Sequence, residues 1–427
     1  MIQISLTALI IALLFGVPIA FSIGIAGAAG IAFGSTMPWF MIPNKFFDGL
    51  NSFSYMAVPL FILAGAIMGK GGISNKIVNF AASVLSWLRG GVAITSVGAS
   101  MIFASVSGSG AATIAAIGGI TAPEMLKRGY GRGFTAAMSA GAGSLGPVIP
   151  PSIDMIVFGC ITGCSIGRMF VGGIIPGFMI GIALSIYCFL YAKKHDLDYG
   201  GRFNAHNVWV ALKDSVWALI MPIIIIGGVM SGVFTATESG GIACVYGLFV
   251  AAFVYKTLDF KGLLLVLKTA TVNAAMVLMI MGMSTLFSYI LALERVGDAI
   301  VNTMLAITTN PTGLFFLVIA LMVFIGCFME SLAALPIILP IIYPMFGSMG
   351  VNLNQLGVVF ALSTVLGGLT PPVGVYLFLS MNLNRVGMKE TVLPHMLIVI
   401  GIQLLVIVLC ILFPIPQFLP NLVMGPQ

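Results

Sequence analysis

Four polar interruptions break an otherwise apolar chain: Ser107-Gly-Ser-Gly-Ala-Ala112, Gly146-Pro-Val-Ile-Pro-Pro-Ser152, Met329-Glu-Ser331 and Gly368-Leu-Thr-Pro-Pro-Val-Gly374. Proline lacks an N–H and displaces the carbonyl one turn back, so these stretches free backbone oxygens. The hydroxyls of Ser107, Ser109, Ser152 and Thr370 stand beside them. An all-oxygen set of this kind suits a hard cation. One expected cation site takes Ser107, Gly108, Ser109, Gly146, Val148 and Pro150; a second takes Glu330, Ser331, Gly368, Thr370 and Pro371. Half-helix N-termini carry partial positive charge and can hold a carboxylate. Ser107, Pro151, Ser152, Thr370, Pro372 and Gly374 are therefore expected around an anionic substrate between the two cation sites.

Glu330 is the costliest residue at membrane depth, and a bound cation or a proton would each relieve it. Asp154 also follows a break, where an interface role is as reasonable as a functional one. No buried Lys or Arg offers itself to read a carboxylate, so recognition falls to backbone dipoles and hydroxyls.

The elements that must position these residues are membrane helices. Of the 427 residues, 60% are hydrophobic and 7% charged, and mean hydropathy is +1.16, which excludes a water-soluble globular domain. Apolar spans read as 4–33 (broken near Gly16-Val-Pro18), 53–69, 133–165 (interrupted), 170–192, 215–235, 239–255, 262–291, 354–382 (interrupted) and 391–413. Two helical pairs remain, 90–127 and 311–349. Segments 74–88, 203–213 and 296–308 are amphipathic and expected at the interface. Each arm of the first pair is too short for a hydrocarbon core of about 30 Å, which favours re-entrant hairpins. The six cysteines lie in apolar segments without a CxxC pair and read as small packing residues.

Threaded this way, 15 of the 18 Lys and Arg residues fall on one side, among them Lys70, Arg89, Lys127, Arg128, Lys193, Lys194, Arg202, Lys213 and Lys268. That side is expected to be cytoplasmic. The first hairpin then opens to the cytoplasm and the second to the outside.

A shift of 221 positions lays Pro123 on Pro344, Gly129 on Gly350, Gly146 on Gly367, Pro150-Pro151 on Pro371-Pro372, and Ser109 on Glu330. Coincident prolines and glycines indicate a repeat of backbone shape. The single span 215–235 between the copies inverts the second. Inverted repeats with broken helices meeting near the midplane are a design of secondary transporters. The expected fold is thus an all-α polytopic membrane protein, an inverted-repeat secondary transporter with two re-entrant hairpins and two broken helices.

Other classes fit less well. A serine hydrolase would need a base at the depth of Ser107 or Ser109, but His195, His206 and His395 lie at loops or span ends. A primary pump would need a nucleotide-binding motif, and none is present. A channel also uses oxygen-lined filters, yet two inverted halves favour alternating access. Nothing in the sequence points to an organic cofactor or to nucleic acid.

These motifs, with Ala57-Val-Pro-Leu-Phe-Ile-Leu-Ala-Gly65 and Gly232-Val-Phe-Thr-Ala-Thr-Glu-Ser-Gly240, resemble the large membrane subunit of the tripartite ATP-independent periplasmic (TRAP) transporters over almost the whole chain. The resemblance implies sodium-coupled uptake of an organic acid, such as a sialic acid or another carboxylate, in the bacterial inner membrane. It implies a periplasmic binding protein and a small membrane subunit as partners, and sodium as coupling ion. It also implies an ion-transporter-like elevator, with transport parts 90–168 and 311–382 moving past scaffold segments 1–89, 169–310 and 383–427. Many members carry aspartate where Thr113 stands, and the threonine here is closer to sialic-acid members. The rival within transporters is a stand-alone sodium–dicarboxylate symporter that works without a binding protein.

Overall fold

The computed structural model describes residues 1–197 and 203–425; Arg202 lies outside the described residues. Every regular element among them is helical. Six helices are long and apolar enough to cross a membrane: Phe53–Lys70, Ile166–Lys194, Ala205–Met230, Ala236–Val254, Phe260–Leu293 and Met388–Leu412.

The first pair of short helices forms a hairpin. Gly91–Ser107 runs to a tip at Gly108, where φ is +62°, and Gly110–Thr113, a π-turn and Gly119–Lys127 return. The arms are tied by Ser96 and Thr121, whose hydroxyls are 2.8 Å apart. The second hairpin is Pro311–Gly326 and Ser331–Ser348. The two broken helices are Arg132–Gly143 with Ile153–Thr162, and Leu353–Leu369 with Val375–Asn384.

The repeat is legible in helix boundaries. The return arms start after Ser109 and Glu330 and end at Lys127 and Ser348; the broken helices begin at Arg132 and Leu353. Each pair is separated by the offset found in the sequence. Gly129 and Gly350 both have positive φ, and the Pro150-Pro151 and Pro371-Pro372 bonds are both cis.

Two expected elements differ. The run 4–33 is two antiparallel helices, Ile2–Leu14 and Ile19–Gly34, rather than one broken span. Pro18 caps the second helix, and glycines at 30 and 34 let it lie directly on Ser5 and Met1. The amphipathic stretch 203–213 is continuous with the helix Ala205–Met230, which Asn204 caps with its side chain. Its 26 residues reach about 39 Å, enough to cross the hydrocarbon core and project beyond it. Segments 74–88 and 296–308 are separate short helices, Ile73–Leu85 and Val296–Ile307.

The helix Phe53–Lys70 packs on Phe260–Leu293 and joins the two halves. Around it the halves exchange partners: Ile19–Gly34 packs on Phe260–Leu293, and Ala236–Phe249 packs on Ala57–Lys70. The 232–240 stretch serves this contact. Thr235 and Glu238 form a capping box, Gly240 meets Leu60 and Phe61, and Cys244 Sγ donates to the Leu60 carbonyl at 3.1 Å.

Candidate functional site: two hairpin tips on two broken helices

The first tip is docked on the first broken helix. A Cβ on Gly146 would lie 2.5 Å from the Ser109 carbonyl carbon and oxygen, so only glycine lets the two backbones meet. The Ile153 N–H donates to the Gly108 carbonyl at 3.5 Å. Within the tip, the Thr113 and Ser107 hydroxyls are 3.1 Å apart, and Thr113 Oγ1 donates to the Ser109 carbonyl at 2.8 Å. Thr113 is thus central to the tip. Ser109 and Ser152 both cap their helices, accepting from the Ala112 and Met155 N–H groups. Ser152 also donates to the Pro147 carbonyl. The Val148 carbonyl faces Gly173 of the helix Ile166–Lys194, which makes it the poorest ligand of the expected first set. Gly146, Val148, Pro150, Pro151 and Ser152 are all buried.

The second repeat holds the same pieces differently. Its hairpin meets the broken helix at Gly326 and Gly367, where a Cβ on Gly367 would lie 2.6 Å from the Gly326 Cα. That contact is one turn before the tip. Glu330 and Gly374 occupy N-cap positions without a side-chain cap bond. Thr370 Oγ1 donates to the Leu366 carbonyl at 2.7 Å, and the Thr370 carbonyl accepts from the Gly374 N–H at 3.2 Å. Glu330, Pro372 and Val373 are exposed, while Ser331, Gly368 and Gly374 are buried. No ion pair reaches Glu330 among the described residues.

The two repeats also touch across the middle. Ser331 Oγ donates to Asp154 Oδ1 at 2.9 Å, and Thr364 Oγ1 lies 3.3 Å from Asp154 Oδ2. The Tyr376 ring lies against both Gly110 of the first tip and Gly368 of the second broken helix. Thr364 and Tyr376 were not among the expected site residues, because neither stands at a glycine or proline break. Counting from the capping residues Ser152 and Gly374, Asp154 and Tyr376 are equivalent positions. That count was the available signal for Tyr376.

Long helices outside the hairpins touch both of them, the first on its entering arm and the second on its return arm. Gly65 lies against the Ser107 backbone. Ser288 Oγ donates to the Pro336 carbonyl at 3.1 Å. Pro340 leaves that carbonyl without its helical partner, and a buried orphan acceptor is expensive at membrane depth.

The tripartite ATP-independent periplasmic transporter DctM component family model matches residues 6–415. The isethionate TRAP transporter permease DctMQ of Oleidesulfovibrio alaskensis is 37% identical over 92% of this chain, which spans 62% of that protein's length. The C4-dicarboxylate large permease DctM of Vibrio cholerae is 33% identical, covering 97% of this chain and 96% of that one. The sialic acid large permease SiaM of the same organism is 32% identical, covering 96% of each. Two solved structures share the fold at low identity. They are MtrF of Neisseria gonorrhoeae (TM-score 0.63, 12% identity, 94% of each chain) and the YdaH transporter of Alcanivorax borkumensis (TM-score 0.57, 15% identity, 88% and 89%). The chain belongs to the DctM component family of tripartite ATP-independent periplasmic transporters.

Proposed function

We propose that this protein is the large membrane subunit of a sodium-coupled transporter of the bacterial inner membrane. It takes up an organic acid handed over by a periplasmic binding protein, with a small membrane subunit as partner. The observation that carries this is the docking of each hairpin on a proline-broken helix of its own repeat. Backbone and hydroxyl oxygens of Ser107–Ser109 and Gly146–Pro150 make one sodium site; those of Glu330, Ser331, Gly368, Thr370 and Pro371 make the other. Sodium is the only inorganic partner in this reading, and no organic cofactor enters it. Sodium at Glu330 would neutralise a carboxylate that has no ion-pair partner among the described residues.

The substrate sits between the tips, near Ser107, Pro151, Ser152, Thr370, Pro372 and Gly374. The uncapped helix starts at Ser331 and Val375 leave N–H groups free for its carboxylate. The relatives' names cover a sulfonate, dicarboxylates and sialic acid, so the substrate class is an organic anion, sialic acid or another carboxylate among them. Transport parts 90–168 and 311–382 move as an elevator past the scaffold 1–89, 169–310 and 383–427. The family match gives the stand-alone symporter reading no support.

The test is uptake into proteoliposomes containing this chain, its small subunit and its binding protein, scanned over organic acids under an imposed sodium gradient. Accumulation of one acid that requires both the gradient and the binding protein is expected. Accumulation indifferent to sodium would overturn the coupling.

A further inference from the structure

The second tip receives something the first does not. Ser331, the first residue of the second return arm, donates its hydroxyl proton to Asp154 of the opposite repeat. Asp154 is 3% exposed and Ser331 6% exposed. Where the second repeat has Ser331 the first has Gly110, which has no hydroxyl; where the first repeat has Asp154 the second has Tyr376, whose ring packs against Gly110. Thr364 is the other side chain hydrogen-bonded to Asp154, but its single proton serves the Ala361 carbonyl at 2.8 Å before Asp154 at 3.3 Å. The carboxylate is therefore spent on Ser331.

A hydroxyl has one proton and two lone pairs. Held by a carboxylate, the proton of Ser331 points at Asp154; the buried Tyr376 hydroxyl engages one lone pair, and the other points elsewhere. We infer that Asp154 is a positioning residue for cation binding at the second hairpin, acting across the repeat boundary by fixing Ser331 Oγ as an acceptor-only ligand. The inference rests on the sodium site proposed at Glu330 and Ser331. It assigns the two sodium sites unequal design: the second is tuned from the other half of the molecule, and the first is not.

The experiment uses the full chain in lipid nanodiscs, with radioactive sodium displaced by unlabelled sodium. Asp154→Asn keeps the shape but replaces a charged acceptor by a neutral amide, which holds the Ser331 proton less firmly. It is expected to weaken sodium binding by about tenfold, the scale for groups that orient metal ligands. Asp154→Leu, which offers Ser331 no acceptor at all, carries the test if Asp154→Asn does not fold; Ser331→Ala removes the ligand itself and serves only as the partner in the double variant. The double variant is expected to bind no more weakly than the weaker single one, because both remove one interaction. Thermal unfolding supplies the readout that a merely structural role would not produce: Asp154→Asn should lose the extra stability given by sodium over potassium while unfolding at the wild-type temperature in potassium. Wild-type sodium affinity in Asp154→Asn, additive losses in the double variant, or equal destabilisation in both salts would overturn the inference. Absence of sodium binding by the wild type would instead overturn the site on which it rests.

Discussion

The two hairpins are copies of one design, yet one is closed and the other open. At the first, the tip lies on its broken helix at Gly146, serines cap both following helices, and Ser107 and Ser152 are buried to 1% and 0% exposure. At the second, the contact falls a turn short of the tip, both caps lack a side-chain bond, and Val373 is 43% exposed. A serine cap satisfies an N–H within its own module. An uncapped start leaves that N–H for something else. The same backbone repeat can thus serve as a sealed support in one half and a receptive mouth in the other, with the difference set by a few side chains at the caps.

The largest expected effect comes from the glycine contacts. Gly146→Val would drive a side chain into the Ser109–Gly110 backbone, and Gly367→Val into Gly326. Overpacking of this kind costs about 1–3 kcal/mol. Both variants should abolish uptake in proteoliposomes; survival of transport in either would show that its hairpin works undocked.

Accessibility should separate the two halves cleanly. With the six native cysteines replaced, Val373→Cys is expected to react with a water-soluble maleimide, and Ser152→Cys is not. Equal labelling would erase the contrast between closed and open.

Glu330→Gln and Ser109→Ala are substitutions at equivalent caps. The first removes a charge and should raise the sodium concentration for half-maximal uptake by about tenfold or more. The second removes one neutral oxygen and a cap of about 1 kcal/mol, giving a smaller shift and a lower unfolding temperature. A larger sodium effect from Ser109→Ala would reverse the roles of the two tips.

The smallest effect belongs to Ser288→Ala. It orphans the Pro336 carbonyl and should cost about 1 kcal/mol, read as a fall of a few degrees in thermal unfolding. No change would mean that the carbonyl finds another donor.

Much of this was legible from glycine and proline alone. Those residues dictate backbone shape, so the offset between Gly146 and Gly367, or between the paired prolines, marks helix breaks whatever the surrounding apolar residues are. Side chains that act through tertiary contact leave no such mark. Asp154 shows the limit: its place after a break was visible, but its bond to Ser331 joins residues 177 positions apart. The run 4–33 shows another. Its total length suits one broken span, and only the close fit of Gly30 and Gly34 on Ser5 and Met1 shows that it doubles back.

The exchange of helices between the halves has a consequence for biogenesis. Ile19–Gly34 packs on Phe260–Leu293, which the ribosome makes more than two hundred residues later. At typical synthesis rates that is a delay on the order of tens of seconds. During that time Gly24 and Gly27, which meet Met283 and Leu286 in the finished fold, lack those partners, while Gly30 and Gly34 already have Ser5 and Met1. The final architecture cannot close until the second copy has been threaded.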